Sequence, residues 1–115
     1  MARPACYIGL MSGTSVDAAD AAVVQFDEHG NNPRVLATHA EAPEVSLRDD
    51  LLHLSQQVAG ISLAKFGELD QRVGEWFARA ALAVMEKAGM SAEYIDAIGS
   101  HGQTVWHAPD DTPGF

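Results

Sequence analysis

An α/β domain built on a mixed sheet is the fold class this sequence predicts, and three observations carry the prediction. Two apolar runs flank a hydroxyl-rich turn near the start, and a third, alternating run follows a polar cluster, the pattern of an antiparallel three-strand meander. Two helical patterns come next, at 47–58 and 62–88. A final apolar run, 95–100, lies beyond a crossover helix, which makes it parallel to an earlier strand.

The first strand is the run Cys6-Tyr7-Ile8-Gly9-Leu10, and Ala18 to Phe26 supplies the second arm of a hairpin over 6–26. Asp27 to Pro33 is a polar turn cluster. The third strand, 34–42, places Val35, Ala37, His39 and Glu41 on one face and Leu36, Thr38, Ala40 and Ala42 on the other. Pro43 closes it. Ser46 is then the predicted N-cap of a helix over 47–58 that carries Leu47, Leu51, Leu54 and Val58 on one side, with Asp49 and Asp50 in its first turn. Gly60 ends that helix. Ser62 caps the second helix, which keeps Leu63, Phe66, Leu69, Val73, Phe77, Ala80, Val84 and Ala88 on one stripe and Glu68, Arg72, Glu75, Arg79 and Glu86 opposite. Gly89 suits a left-handed stop. Trp76 thickens the apolar stripe. Gly67 and Gly74 weaken the helix by about 1 kcal/mol each, a cost that close packing against the sheet would explain. Ser91 to Glu93 opens a short turn before the fourth strand, and 101–107 forms a polar loop after it. The segment 110–115 holds a turn signal and then an apolar residue, as in a chain cut just before its next strand.

With 115 residues and 47% hydrophobic content, the chain can build one core but not two lobes. Seven basic against sixteen acidic side chains leave a net charge of −9, which repels nucleic-acid backbones and anionic membranes at long range. A small anionic ligand is still admissible, because oriented amides set the field it meets. The single cysteine, Cys6, has no disulfide partner and lies in an apolar run, so it reads as a small buried hydrophobe. The first ten residues lack the apolar core of a signal peptide, and no run approaches the ~20 apolar residues of a membrane span. The cytoplasm is the expected compartment.

Two stretches carry chemistry. Ser12-Gly13-Thr14-Ser15 directly follows the first strand, and glycine with three hydroxyl residues can aim N–H and O–H donors at a phosphate. The same residues also make an ordinary turn, since Gly, Ser and Thr all favour turns for local reasons. No GxxxxGK[ST] or GxGxxG is present, and Lys65 and Lys87 are the only lysines. Gly13 to Asp17 begins like a nucleophile elbow but has Asp17 where the second glycine belongs, which disfavours Ser15 as an acyl-transfer nucleophile. The other stretch, Ser100-His101-Gly102-Gln103-Thr104-Val105-Trp106-His107, lies at a strand's carboxyl end, where ligands of open α/β sheets collect. Gln103 and Thr104 suit a polyol, because each both donates and accepts, and His101 could carry a proton. His101 and Gln103 could equally satisfy buried backbone groups. A metal site at His101 and His107 lacks further ligands nearby. His29, His39 and His53 read as solvent or strand-face residues.

Taken together, Ile8 to Asp17 and Ile98 to His107 closely resemble the amino-terminal portion of the anhydro-N-acetylmuramic acid kinase family, and Phe66-Gly67-Glu68-Leu69-Asp70 is similar to it as well. The resemblance implies a ribonuclease-H-like lobe of the actin and sugar-kinase type, present here as about the first third of a two-lobed kinase. It implies ATP and Mg²⁺ as cofactors, and 1,6-anhydro-N-acetylmuramic acid as the substrate, hydrated and phosphorylated to N-acetylmuramic acid 6-phosphate in peptidoglycan recycling. Ser12, Gly13, Thr14, Ser15, Val16, Asp17, Ala18 and Ala19 match the family's ATP-phosphate loop. His101, Gln103 and Thr104 match a motif beside the cleft and are expected on the sugar side. Asp17 would hold Mg²⁺ directly or through water, or else bond the turn amides. Ala18 replaces the usual glycine after the loop aspartate, which narrows the backbone approach unless φ is negative there. The catalytic base is expected beyond Phe115, so the fragment alone should be inactive. A stand-alone nucleotide-binding module and a purely structural domain are the alternatives, and a homodimer is a candidate assembly.

Overall fold

Strand β1 (Ala5–Ser12) is the spine of the structure, a computed structural model that describes residues 3–56, 60–108 and 110. It pairs antiparallel with β2 (Ala19–Phe26), which pairs antiparallel with β3 (Arg34–Glu41). On its other edge β1 pairs parallel with β4 (Ala97–Gln103), giving the sheet order β3-β2-β1-β4. Helices α1 (Val45–Gln56) and α2 (Leu63–Ala88) make the crossover, and a 3-10 turn at Ala92–Tyr94 leads into β4. The predicted meander, the two helices and the parallel fourth strand are all present.

Period-two alternation sorts β1 between the two faces. Cys6, Ile8, Leu10 and Ser12 point into the core, while Tyr7, Gly9 and Met11 face outward. The inner face meets α2, whose Trp76, Phe77, Ala80 and Val84 pack with Ile8, Val23, Leu47 and Leu51. Trp76 is wholly buried, and its indole Nε1 donates to the carbonyl oxygen of Glu41 at 2.8 Å, which satisfies both groups where β3 ends. Asp96 anchors the start of β4 beside β1: its carboxylate accepts from the Cys6 amide at 2.9 Å and pairs with Arg3 at 2.8 Å. Cys6 is buried and free, as expected.

Several boundaries differ from the predicted ones. Helix α1 starts at Val45, so Ser46 is inside the first turn rather than capping it, and Asp49 and Asp50 lie beyond that turn. Ser46 Oγ instead accepts from Arg72 at 3.1 Å, and Asp50 accepts from the same guanidinium at 2.8 Å, which ties α1 to α2. The expected end of α1 at Val58 lies outside the described residues, as do residues 111–115 of the final turn. Helix α2 matches its prediction at both ends: Ser62 Oγ accepts from the Lys65 amide, and Gly89 has φ 66°. Its first turns do not join the core, however, because Leu63 is 89% exposed and Phe66 is exposed too. Nothing lies within 4 Å of a Cβ built on Gly67 or Gly74, so neither glycine serves close packing against the sheet. Strand β3 carries a bulge, because Val23 pairs with Ala37 while Val24 pairs with Val35. Leu36 is the extra residue, and it joins Ala37 against the core while Val35 turns out to solvent.

Candidate functional site

The turn between β1 and β2 closes on itself, with the Val16 amide donating to Gly13 O at 3.1 Å. Gly13, Thr14 and Ser15 are exposed at its tip, whereas the hydroxyl-bearing side chain of Ser12 is buried on the core face. Val16 has φ 55° and is 2% exposed, so a β-branched residue occupies the left-handed region with its side chain sunk in the core. That geometry costs about 1–2 kcal/mol relative to ordinary backbone. Among the described residues Val16 and Asn32 are the non-glycine ones with positive φ, so the backbone at Ala18 accepts an L side chain without strain. An alanine at 18 therefore fits the backbone of the turn.

Two distant side chains reach the turn. Arg48 Nη2, on α1, donates to Ser15 O and to Asp17 Oδ1, both at 3.2 Å. Gln103 Nε2, at the end of β4, donates to Gly13 O at 3.2 Å and to Thr104 O at 3.0 Å. A register shift delivers Gln103 there. Leu10 pairs with Ser100 but Ser12 pairs with Gln103, so His101 and Gly102 form a bulge in the parallel ladder. Gly102 has φ 74°, which a side chain would oppose, and its amide donates to Ser100 Oγ at 3.2 Å. His101, Gly102 and Gln103 thus belong to β4 and not to the predicted polar loop. Ser12 Oγ and Gln103 Oε1, at facing register positions, are both buried without a protein partner among the described residues.

Beyond the strand ends, Thr14, Ser55, Thr104, Val105, Trp106 and His107 line a cavity of about 300 Å³. This cleft brings the tip of the predicted phosphate loop together with the second polar stretch. His101 stays exposed outside it, its Nδ1 3.4 Å from Gly102 O. A larger hollow of about 700 Å³ lies over the sheet around Gly9, Met11, Ala22 and Ala40, and it includes none of the predicted site residues. Arg48, Ser55, Trp106 and His107 are additions to the predicted set. Trp106 and His107 had a sequence signal, since they sit in the polar stretch; Arg48 and Ser55 had none, as single polar residues on a helix.

Among the described residues no group of three or more His, Cys, Asp or Glu side chains is placed to hold a metal. Asp17 is 71% exposed at its side chain with one oxygen on Arg48, which leaves the other free to meet a hydrated cation. A magnesium ion that takes its remaining ligands from phosphate and water fits such a single carboxylate.

An α/β lobe of the sugar-kinase type, with its loop and cleft at the carboxyl ends of β1 and β4, is the class that this architecture defines. The family profile of anhydro-N-acetylmuramic acid kinase matches residues 5–115. Proteins of that name from Shewanella halifaxensis and Coxiella burnetii are each 45% identical over 109 residues, and one from Xanthomonas campestris pv. campestris is 43% identical over 110. Each comparison covers 95% of this chain. The chain belongs to the anhydro-N-acetylmuramic acid kinase family, and it spans 28–29% of the length of these curated relatives.

Proposed function

We propose that this segment supplies the ATP-phosphate side, and part of the sugar wall, of a kinase acting on 1,6-anhydro-N-acetylmuramic acid. In this reading water adds at the anomeric carbon and opens the internal ether, and the freed 6-hydroxyl oxygen takes the γ-phosphoryl group of ATP. The products are N-acetylmuramic acid 6-phosphate and ADP, a step in peptidoglycan recycling. The observation that carries the reading is the shared cleft of Thr14 and Thr104, which puts a hydroxyl-rich turn and a sugar-compatible segment side by side.

Thr14 in that cleft, with Gly13 and Ser15 beside it on the exposed turn, offers amides and hydroxyls to the phosphates, and phosphoryl transfer depends mainly on such positioning and on charge neutralisation. Ser12, Val16, Ala18 and Ala19 shape the loop from the inner side. Mg²⁺, held by the triphosphate and through water by Asp17, would neutralise charge on the transferred group. Thr104 and His101 remain the proposed sugar-side residues. Gln103 has neither end open to a sugar, because its amide nitrogen is held by two carbonyls and its Oε1 is buried. The base that activates water is proposed to lie outside these 115 residues, and the proposed compartment is the cytoplasm, where ATP is supplied.

The test compares ATP-dependent phosphorylation of the anhydro-sugar by the 115-residue chain and by the full-length polypeptide carrying it. Turnover by the long form alone is the expected result, and robust turnover by the short form would overturn the missing-base reading. In the long form Thr14→Ala should lower kcat/KM for ATP by about 10- to 100-fold, the size of a lost hydrogen bond to a charged group. Unchanged kinetics would mean that the turn is structural only.

A further inference from the structure

The strain at Val16 persists only where other contacts over-determine the turn, and two of those contacts come from elements far away in sequence. Gln103 reaches Gly13 O across ninety positions, and Arg48 reaches Ser15 O across thirty-three. The orientation of the Gln103 amide follows from its partners, since two carbonyl oxygens can be met only by its NH₂ end. In a trans peptide the C=O and the following N–H point in opposite directions. Gly13 O, which accepts from both Val16 N and Gln103 Nε2, is therefore drawn toward the protein, and the Thr14 N–H is turned the other way. Thr14 is the loop residue that lines the cleft.

We infer that Gln103 and Arg48 are positioning residues that hold the turn in its nucleotide-receptive form before nucleotide arrives. Gln103 aims the Thr14 amide into the cleft, and Arg48 fixes the far side of the turn at Ser15 and Asp17. This rests on the nucleotide reading above, and it sets Gln103 apart from a residue that touches the sugar.

The experiment uses Gln103→Met, Arg48→Met and Arg48→Lys in the full-length polypeptide. Gln103→Met keeps the size of the side chain and removes both donors. It should raise KM for ATP about 10-fold while KM for the anhydro-sugar stays within about twofold, as expected for lost hydrogen bonds on the phosphate side only. Arg48→Met should act in the same direction, and Arg48→Lys, which keeps a cationic donor, should recover most of the loss. In nucleotide-free protein, exchange of the Val16 amide, which donates to Gly13 O and closes the turn, should speed up about 10-fold in both Met variants. A rise confined to the sugar KM would make Gln103 a sugar contact and overturn the inference, as would unchanged constants and exchange in both Met variants. Should the parent protein fail to bind ATP, the nucleotide reading falls, while the exchange measurement still decides whether the brace exists. If Gln103→Met does not melt cooperatively, the Arg48 pair, on an exposed side chain, decides by the same criteria.

Discussion

Val16 sets a local backbone preference against a tertiary one, and the tertiary one wins. Its side chain belongs to the core cluster, and the amide that closes the turn is its own. A reversal of the usual ranking of small residues follows. Val16→Gly should be more stable than Val16→Ala by about 1 kcal/mol, because only alanine keeps the left-handed penalty, although glycine is ordinarily the worse replacement. Denaturant unfolding of the two variants measures the difference, and alanine proving the more stable would remove strain from the description. The turn itself was legible in the sequence from Gly13 and its hydroxyl neighbours. That the left-handed residue is Val16 was not, because nothing local distinguishes a valine held by core packing from one in plain extended backbone. Arg48 was illegible for a similar reason: its contact with Asp17 exists only because α1 docks beside the turn.

At the scale of elements, α2 was the most legible part of the chain, since seven turns of apolar periodicity between Ser62 and Gly89 leave few alternatives. Its two interior glycines serve no contact, so Gly67→Ala and Gly74→Ala should each stabilise the protein by about 0.5–1 kcal/mol, seen as a rise in Tm. A loss of stability in both would mean that the helix surface there is covered in the folded protein. The start of α1 was misread because Ser46 has the chemistry of a cap, while its hydroxyl is in fact engaged by Arg72. The reach of β4 was cut short for another reason: His101, Gly102 and Gln103 look like loop residues, and only pairing with Ser12 across the bulge makes them strand. The contact between the helices has its own pH signature. The Arg72 guanidinium beside Asp50, aided by Lys65 and opposed by burial, holds that carboxyl below its ordinary range. A lowered folded-state pKa means that the stabilisation is fully present above the ordinary value of about 3.9 and disappears as pH falls through the folded value. Asp50→Asn should therefore lower Tm at neutral pH, by less than about 1 kcal/mol of stability for so exposed a pair, and match the parent near about pH 2. An equal deficit at both pH values would assign the effect to packing.

Among the described residues the sheet is covered on one face. Both helices serve the inner face of the sheet, while Tyr7 and Met11 on the outer face of β1 are exposed, and the radius of gyration of 16.7 Å exceeds the roughly 13 Å of a compact chain of this length. Parallel pairing such as that of β1 with β4 is ordinarily found in sheets covered on both faces. Oxidative footprinting should therefore find Met11 reactive in the 115-residue chain and protected in the full-length polypeptide. Equal reactivity in the two would leave this face genuinely solvent-facing. The parallel pairing of β1 with β4 also bears on synthesis. β1 is finished at Ser12, yet the partner for its second edge begins only at Ala97. At ordinary ribosomal speeds that edge waits about 4–17 s with its peptide groups unpaired. Through that interval the nascent hairpin offers a free template to any neighbouring chain, so slowing translation before codon 97 should increase insoluble product, and overexpression should aggravate it.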